Sequence, residues 1–146
     1  MAHDANDPAA IADRLAIQDL LTRYCVAIDG DDWELLDTVF TPDAQIDYTS
    51  SGGIAGAYPE VRAWLAQVLP GFPVKQHLVT NFSVEITGDR ATSRTYFYNP
   101  MGRPKDGGGV ALFFVGGWYL DELVRTADGW RIAKRVEKQS WVDVRG

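Results

Sequence analysis

From Val74 to Val142 the chain alternates apolar and polar residues instead of following a helical period. Turn signals interrupt the pattern at Gly88-Asp89 and at Thr126-Ala127-Asp128-Gly129. Strands are therefore predicted over Val74–Thr87, Arg90–Asn99, Val110–Arg125 and Trp130–Val142. Strands joined by tight turns pair antiparallel, so the second half of the chain must form a meander. A polar segment, Gly102–Gly109, holds Pro104 and a run of glycines; it reads as a mobile loop bordering a pocket mouth.

The first half reads differently. Leu15, Leu21, Tyr24 and Ile28 recur at helical spacing, with Ile17 and Leu20 widening the stripe, and predict a helix over Pro8–Asp29 that stops at Gly30. Asp31 and Glu34 fit a capping box for a second, short helix with Trp33, Leu36 and Phe40 on its apolar edge, ended by Pro42. A strand follows over Ala44–Thr49, and Ser50–Gly56 is either a loop or a short edge strand. A third helix spans about Pro59–Leu69, with Val61, Trp64, Leu65 and Val68 on one face. Helices followed by a meander of long strands make an α+β domain, expected over residues 9–146 behind a flexible tail at 1–8. The natural packing lays the helices on one face of a strongly curved, mostly antiparallel sheet and leaves a pocket between the layers.

Composition narrows the function. A chain of 146 residues with 46% apolar content can bury a core without metal or disulfide staples. The formal charge of −6 and pI near 4.8 argue against nucleic acid and anionic membranes as partners. The single cysteine, Cys25, lies in the helical pattern and reads as a small core residue. Met1–Pro8 lacks the marks of a signal peptide, so a cytoplasmic protein is expected. Clustered metal ligands are lacking, and no metal or organic cofactor is expected.

Two histidines are present, and His3 lies in the tail. His77 is placed in the strand Val74–Thr87, on the side of Val79 and Asn81. A lone strand histidine is most often a satisfied structural residue. Asp29 raises the alternative, because a carboxylate at a helix C-terminus faces the negative end of the helix dipole. Asp31 is the better cap for the next helix, so Asp29 breaks a local rule without a structural return, as functional residues tend to do. Tyr24 and Tyr48 could be core tyrosines with hydroxyls at a pocket wall. The basic residues Arg131, Lys134, Arg135 and Lys138 alternate along the last strand and are expected mostly in solvent.

The segments Ala16-Ile17-Gln18-Asp19-Leu20, Arg23-Tyr24, Asp29-Gly30-Asp31-Asp32-Trp33 and Phe40-Thr41-Pro42-Asp43-Ala44 resemble the opening of SnoaL-like proteins. Gln76-His77-Leu78-Val79-Thr80-Asn81, Gly88-Asp89-Arg90-Ala91 and Asp128-Gly129-Trp130-Arg131-Ile132 match later signatures of the same family. The resemblance implies the cone-shaped fold of the nuclear transport factor two-like superfamily, with three N-terminal helices on the curved sheet. It also implies a homodimer or homotrimer packed through the outer sheet face. Scytalone dehydratase, bile acid 7α-dehydratase and the hexachlorocyclohexane dehydrochlorinase are the members it resembles most; all are cofactor-free eliminating enzymes built on an Asp–His pair.

By that likeness His77 is the base, Asp29 its partner and Tyr24 the catalytic tyrosine. Tyr48, Trp64, Asn81, Thr95, Phe97 and Phe113 would then bind substrate. Thr95 or a neighbour stands where scytalone dehydratase has a second histidine, and Ile28 replaces a tyrosine there, so scytalone itself is not expected as substrate. The expected activity is a dehydratase-type β-elimination on a small apolar, cyclic hydroxy-ketone. A double-bond isomerase, a polyketide cyclase and a non-catalytic ligand-binding or oligomerisation module are the alternatives.

Overall fold

The structure, a computed structural model, describes residues 7–145; His3 and most of the expected tail lie outside them. Helix α1 covers Pro8–Asp29, with the Asp7 side chain accepting from the Ala9 N–H at its start. Its buried face runs through Ile17, Leu20, Leu21, Tyr24, Cys25 and Ile28, whereas Leu15, expected on that stripe, is 56% exposed. The helix α2 is a single turn, Trp33–Leu36. Its cap is Asp32, which accepts from the Leu35 N–H, and not Asp31 as the capping-box spacing predicts. Asp31 has a φ of 52°, which redirects the chain out of α1, and its carboxylate binds Lys75 Nζ at 2.7 Å.

The strand β1 spans Phe40–Asp47, so it begins earlier than expected and contains Pro42. A short strand β2, Ala55–Ala57, leads into α3, Tyr58–Val68. The remaining strands are β3 Val74–Lys75, β4 Leu78–Thr87, β5 Arg90–Pro104, β6 Val110–Thr126 and β7 Gly129–Arg145. They form a sheet ordered β2-β1-β7-β6-β5-β3, with β4 also paired to β5. Only β1 and β7 run parallel; the other pairings are antiparallel. The expected loop Gly102–Gly109 shrinks, because Gly102, Arg103 and Pro104 extend β5 and pair with β6.

Irregularities in register bend the sheet around the helices. One lies at Gly116/Gly117, where a Cβ on Gly117 would collide with the Lys138 carbonyl, so only glycine permits the bulge. Another, between Thr80 and Ser83, is marked by Asn81 at a φ of 54°. Along β5 the parity holds: Ala91, Ser93, Thr95, Phe97 and Asn99 turn inward.

The helix α1 packs against β4 and β7 of the curved sheet. Phe97 stacks on Tyr119 with ring centroids 4.7 Å apart, and Arg14 Nη1 donates to the Val84 carbonyl at 2.7 Å.

The centre of the core contains an ion pair. Arg135, expected in solvent with its neighbours on β7, is 1% exposed and binds Asp121 of β6 through Nε at 2.7 Å and Nη2 at 2.8 Å. Its guanidinium lies between two rings, 4.2 Å from the Tyr24 centroid and 4.1 Å from that of Tyr119. A bidentate carboxylate and two π faces together offset the cost of burying the cation. Nη1 has no acceptor among the described residues.

Removing one member strands the other charge in the core. Asp121→Asn should therefore destabilise the fold by about 3–5 kcal/mol. Replacing Arg135 and Asp121 together by apolar residues should recover much of that loss. Chemical denaturation of the three proteins checks both outcomes.

Candidate active site

A cavity of about 690 Å³ opens at the wide end of the cone, between α1, α3 and the concave face of β5–β7. Its size suits a small organic molecule. The walls are mostly apolar: Ile28 from α1, Trp64, Leu65 and Val68 from α3, Phe72, and Met101, Phe113 and Val115 from the sheet. The polar groups in the wall include Tyr24, Tyr48, His77, Asn99, Glu137 and Gln139, with Arg103 also contributing.

His77 does not sit within a continuous strand. The run expected over Val74–Thr87 breaks at Gln76-His77, between β3 and β4. The break is held by Asp29 at the end of α1. One carboxylate oxygen accepts from the His77 backbone N–H at 2.8 Å, and the other bonds the ring Nδ1 at 2.6 Å. An ionised carboxylate only accepts, so Nδ1 carries the hydrogen and Nε2 is left as the basic nitrogen.

Burial works against the charge on Asp29. The bonds from the His77 ring and backbone, with the charges of His77 and Lys75, outweigh it and hold the carboxyl below its ordinary value. The local rule that Asp29 breaks at the helix terminus thus has a return in both structure and electrostatics.

The hydroxyls of Tyr24 and Tyr48 are hydrogen-bonded to each other at 2.9 Å. Burial raises both well above the ordinary tyrosine value, while the Arg135 charge beneath them acts in the opposite direction. Two hydroxyls sharing one hydrogen bond leave one hydrogen for a ligand, whichever tyrosine donates. The Tyr24 ring also meets that of His77 edge-on, with centroids 6.4 Å apart.

Trp64 and Phe113 stand in the cavity wall beside these residues. Three other sequence expectations fail geometrically. Asn81 is exposed at the bulge in β4, which cancels the strand parity that put it on the side of His77. Thr95 and Phe97 face inward and are buried, Phe97 stacked on Tyr119, but neither lines the cavity.

The residue on β5 that does reach it is Asn99, one inward position further on. Its Oδ1 is buried without a partner among the described residues, and its Nδ2 is 3.5 Å from the Tyr119 hydroxyl. Glu137 was also missed; it sits two residues from Arg135 in a stretch that looked solvated. For Arg135 the available signal was Asp121, a carboxylate inside the long apolar run of β6, which required a buried cation from a neighbouring strand; nothing comparable pointed to Glu137.

Cys25 is buried, and burial pushes its thiol up to about 11, which disfavours the nucleophilic thiolate. Among the described residues no cluster of His, Cys, Asp and Glu could hold a metal ion, and no helix is long and apolar enough to cross a membrane.

Comparison with known proteins adds the lineage. The uncharacterized protein Rv2910c of Mycobacterium tuberculosis H37Rv is 54% identical over 129 residues, which cover 88% of this chain and 86% of that one. A candidate aromatic ring hydroxylase from Novosphingobium aromaticivorans superimposes with a TM-score of 0.81 at 30% identity, covering 92% of this chain and 94% of its own. A type 2 hexachlorocyclohexane dehydrochlorinase, LinA, gives 0.82 at 22% identity, over 97% of this chain and 94% of that one, and shares the fold. The model of the SnoaL-like domain matches residues 9–136, and the chain belongs to that family, within the nuclear transport factor two-like superfamily.

Proposed function

We propose that the protein is a cofactor-free lyase that removes water from a small, apolar, cyclic hydroxy-ketone. The observation that carries this reading is the bond from Asp29 to His77, whose ring lies in the wall of the apolar cavity. Asp29 fixes the ring tautomer and stabilises the imidazolium that forms when Nε2 takes a proton. A carbon acid next to a carbonyl is the substrate such a base can serve, since an enolate spreads the charge left behind.

The Tyr24–Tyr48 pair supplies the hydroxyl hydrogen that meets the developing enolate oxygen. The two tyrosines act as one donor, so the choice between them becomes a question of which one faces the ligand. Arg135 beneath the rings adds a fixed positive charge near the same point. Trp64 and Phe113 offer flat apolar surface to a ring-containing substrate. That a dehydrochlorinase shares the fold supports an elimination on this scaffold. Isomerisation would use the same base with the proton returned elsewhere.

We also propose that the outer sheet face is covered by a second copy of the chain. Tyr98 and Trp141 are 41% and 45% exposed, and they pack together with Phe114 into an aromatic patch. Tyr98→Asp should reduce the mass measured by light scattering to that of one chain while circular dichroism stays unchanged.

Within the site, His77→Gln should lower turnover by roughly 10²-fold or more, the usual worth of a general base. Asp29→Asn should do nearly as much. Steady-state kinetics over a panel of cyclic β-hydroxy-ketones, with circular dichroism for folding, checks both; unchanged turnover in both variants would leave ligand binding as the better reading.

Asp29 also gives a signed pH effect. Its value is lower in the folded state, so its contribution to stability is present above the unfolded value near ~3.9 and is lost as pH falls through the folded one. The stability difference between the native protein and Asp29→Asn should therefore shrink on acidification through that range, as measured by denaturation at a series of pH values.

A further inference from the structure

Glu137 is a buried carboxyl that the proposed base and tyrosines do not use. It projects from β7 level with Tyr119 of β6, is 9% exposed, and lines the cavity that also holds His77. It does not share the ion pair of its neighbour, because Arg135 gives both of its hydrogen bonds to Asp121.

The backbone around Glu137 is fastened. The Ser50 hydroxyl donates to the Glu137 carbonyl at 2.8 Å and accepts from the Gln139 N–H at 2.9 Å. Ser51, in the 3₁₀ turn Thr49–Ser51 that follows β1, lies beside the side chain and favours its charged form. On the same concave face Asn99 lines the cavity, and its Oδ1 is buried without a partner among the described residues. A donor-capable carboxyl and an orphan acceptor together fit a ligand hydroxyl, which must both receive and give a hydrogen bond.

We propose that Glu137 is the general acid of the elimination, delivering its proton to the departing hydroxyl while Asn99 Oδ1 accepts that hydroxyl's own hydrogen. The proposal rests on the reading of His77 as base and separates two roles. The tyrosine pair serves the carbonyl oxygen, and Glu137 serves the leaving oxygen.

The balance is complete without a co-reactant. His77 Nε2 takes the proton next to the carbonyl, the electron pair of that C–H bond forms the C=C bond, and the C–O bond breaks. The oxygen leaves with the proton from Glu137 as water. Imidazolium and carboxylate remain, and transfer of one proton from His77 to Glu137, directly or through the released water, restores the starting state.

This assignment also narrows the substrate. Hydroxide is a poor leaving group and needs an acid, whereas a group that departs as a stable anion does not. The acid is thus required for loss of water and dispensable for loss of halide or carboxylate.

Burial is the largest influence on the Glu137 carboxyl and raises it above the ordinary value. Ser51 and the charges of His77 and Arg135 pull it down, and Asp47 pushes it up. The tyrosines Tyr24, Tyr48 and Tyr119 enclose the same space from α1, the end of β1 and β6. The acid form is lost as pH rises through the raised value, so elimination of water should decline on that side.

Two measurements test the assignment. Carbon-13 NMR of glutamate-labelled protein, with Glu137→Gln for assignment, should show Glu137 titrating above the ordinary glutamate value; titration at or below that value overturns the proposal. Enone formation is then followed from β-hydroxycyclohexanone and from β-acetoxycyclohexanone, whose acetate leaves without an acid.

Glu137→Gln should lower loss of water by roughly 10²-fold, leave loss of acetate within a few-fold, and remove the decline at higher pH. An equal fall for both probes, or no fall for either, overturns the role of Glu137. His77→Gln should suppress both probes. If it spares both, the reading of His77 as base fails, and that failure is distinct from failure of the acid.

Discussion

One carboxylate joins the fold to its chemistry. Asp29 ends α1 and binds both the backbone and the ring of His77. The first bond satisfies an N–H left unpaired where β3 gives way to β4, so the sheet can break there and still bury its backbone. The second fixes which ring nitrogen is basic. Because the same residue does both, the imidazole cannot shift without disturbing the junction between helix and sheet. Catalytic geometry is most reliable when set by such secondary-structure elements.

Behind that junction lies a second electrostatic layer. Arg135 and Asp121 cross from β7 to β6 and place a guanidinium under the Tyr24 and Tyr119 rings. A buried pair of this kind is weak support for stability compared with apolar packing. Its value here is positional: a fixed positive charge below the hydroxyl pair that would face an enolate. The polar groups of the cavity therefore divide into two poles. In the proposed reaction His77 and the tyrosines would attend the carbonyl side, and Glu137 with Asn99 the leaving group.

How far the sequence revealed this depended on periodicity. The helix Pro8–Asp29 was legible to its ends, since its apolar stripe and flanking residues agree. Alternation along β5 correctly identified the inward side. Neither alternation nor family likeness tells which inward residues meet the cavity, so Thr95 and Phe97 were named where Asn99 lines it. A bulge costs one residue of register and reverses every side chain beyond it. That is why Asn81 was misplaced; His77 reaches the cavity from a separate break, between β3 and β4, held by Asp29. Arg135 and Glu137 were hidden for another reason. A charged residue on a strand with solvated neighbours looks solvated until its partner on the adjacent strand is known.

The central claim is that His77 removes a proton from carbon beside a carbonyl in this cavity. It is tested most directly by incubating the protein with cyclohexanone in deuterium oxide and following the ring hydrogens by proton NMR. This exchange needs the base but no leaving group. The account predicts that the native protein washes deuterium into the positions next to the carbonyl faster than buffer does, and that His77→Gln loses the acceleration. Equal exchange by the native protein and by His77→Gln would contradict it.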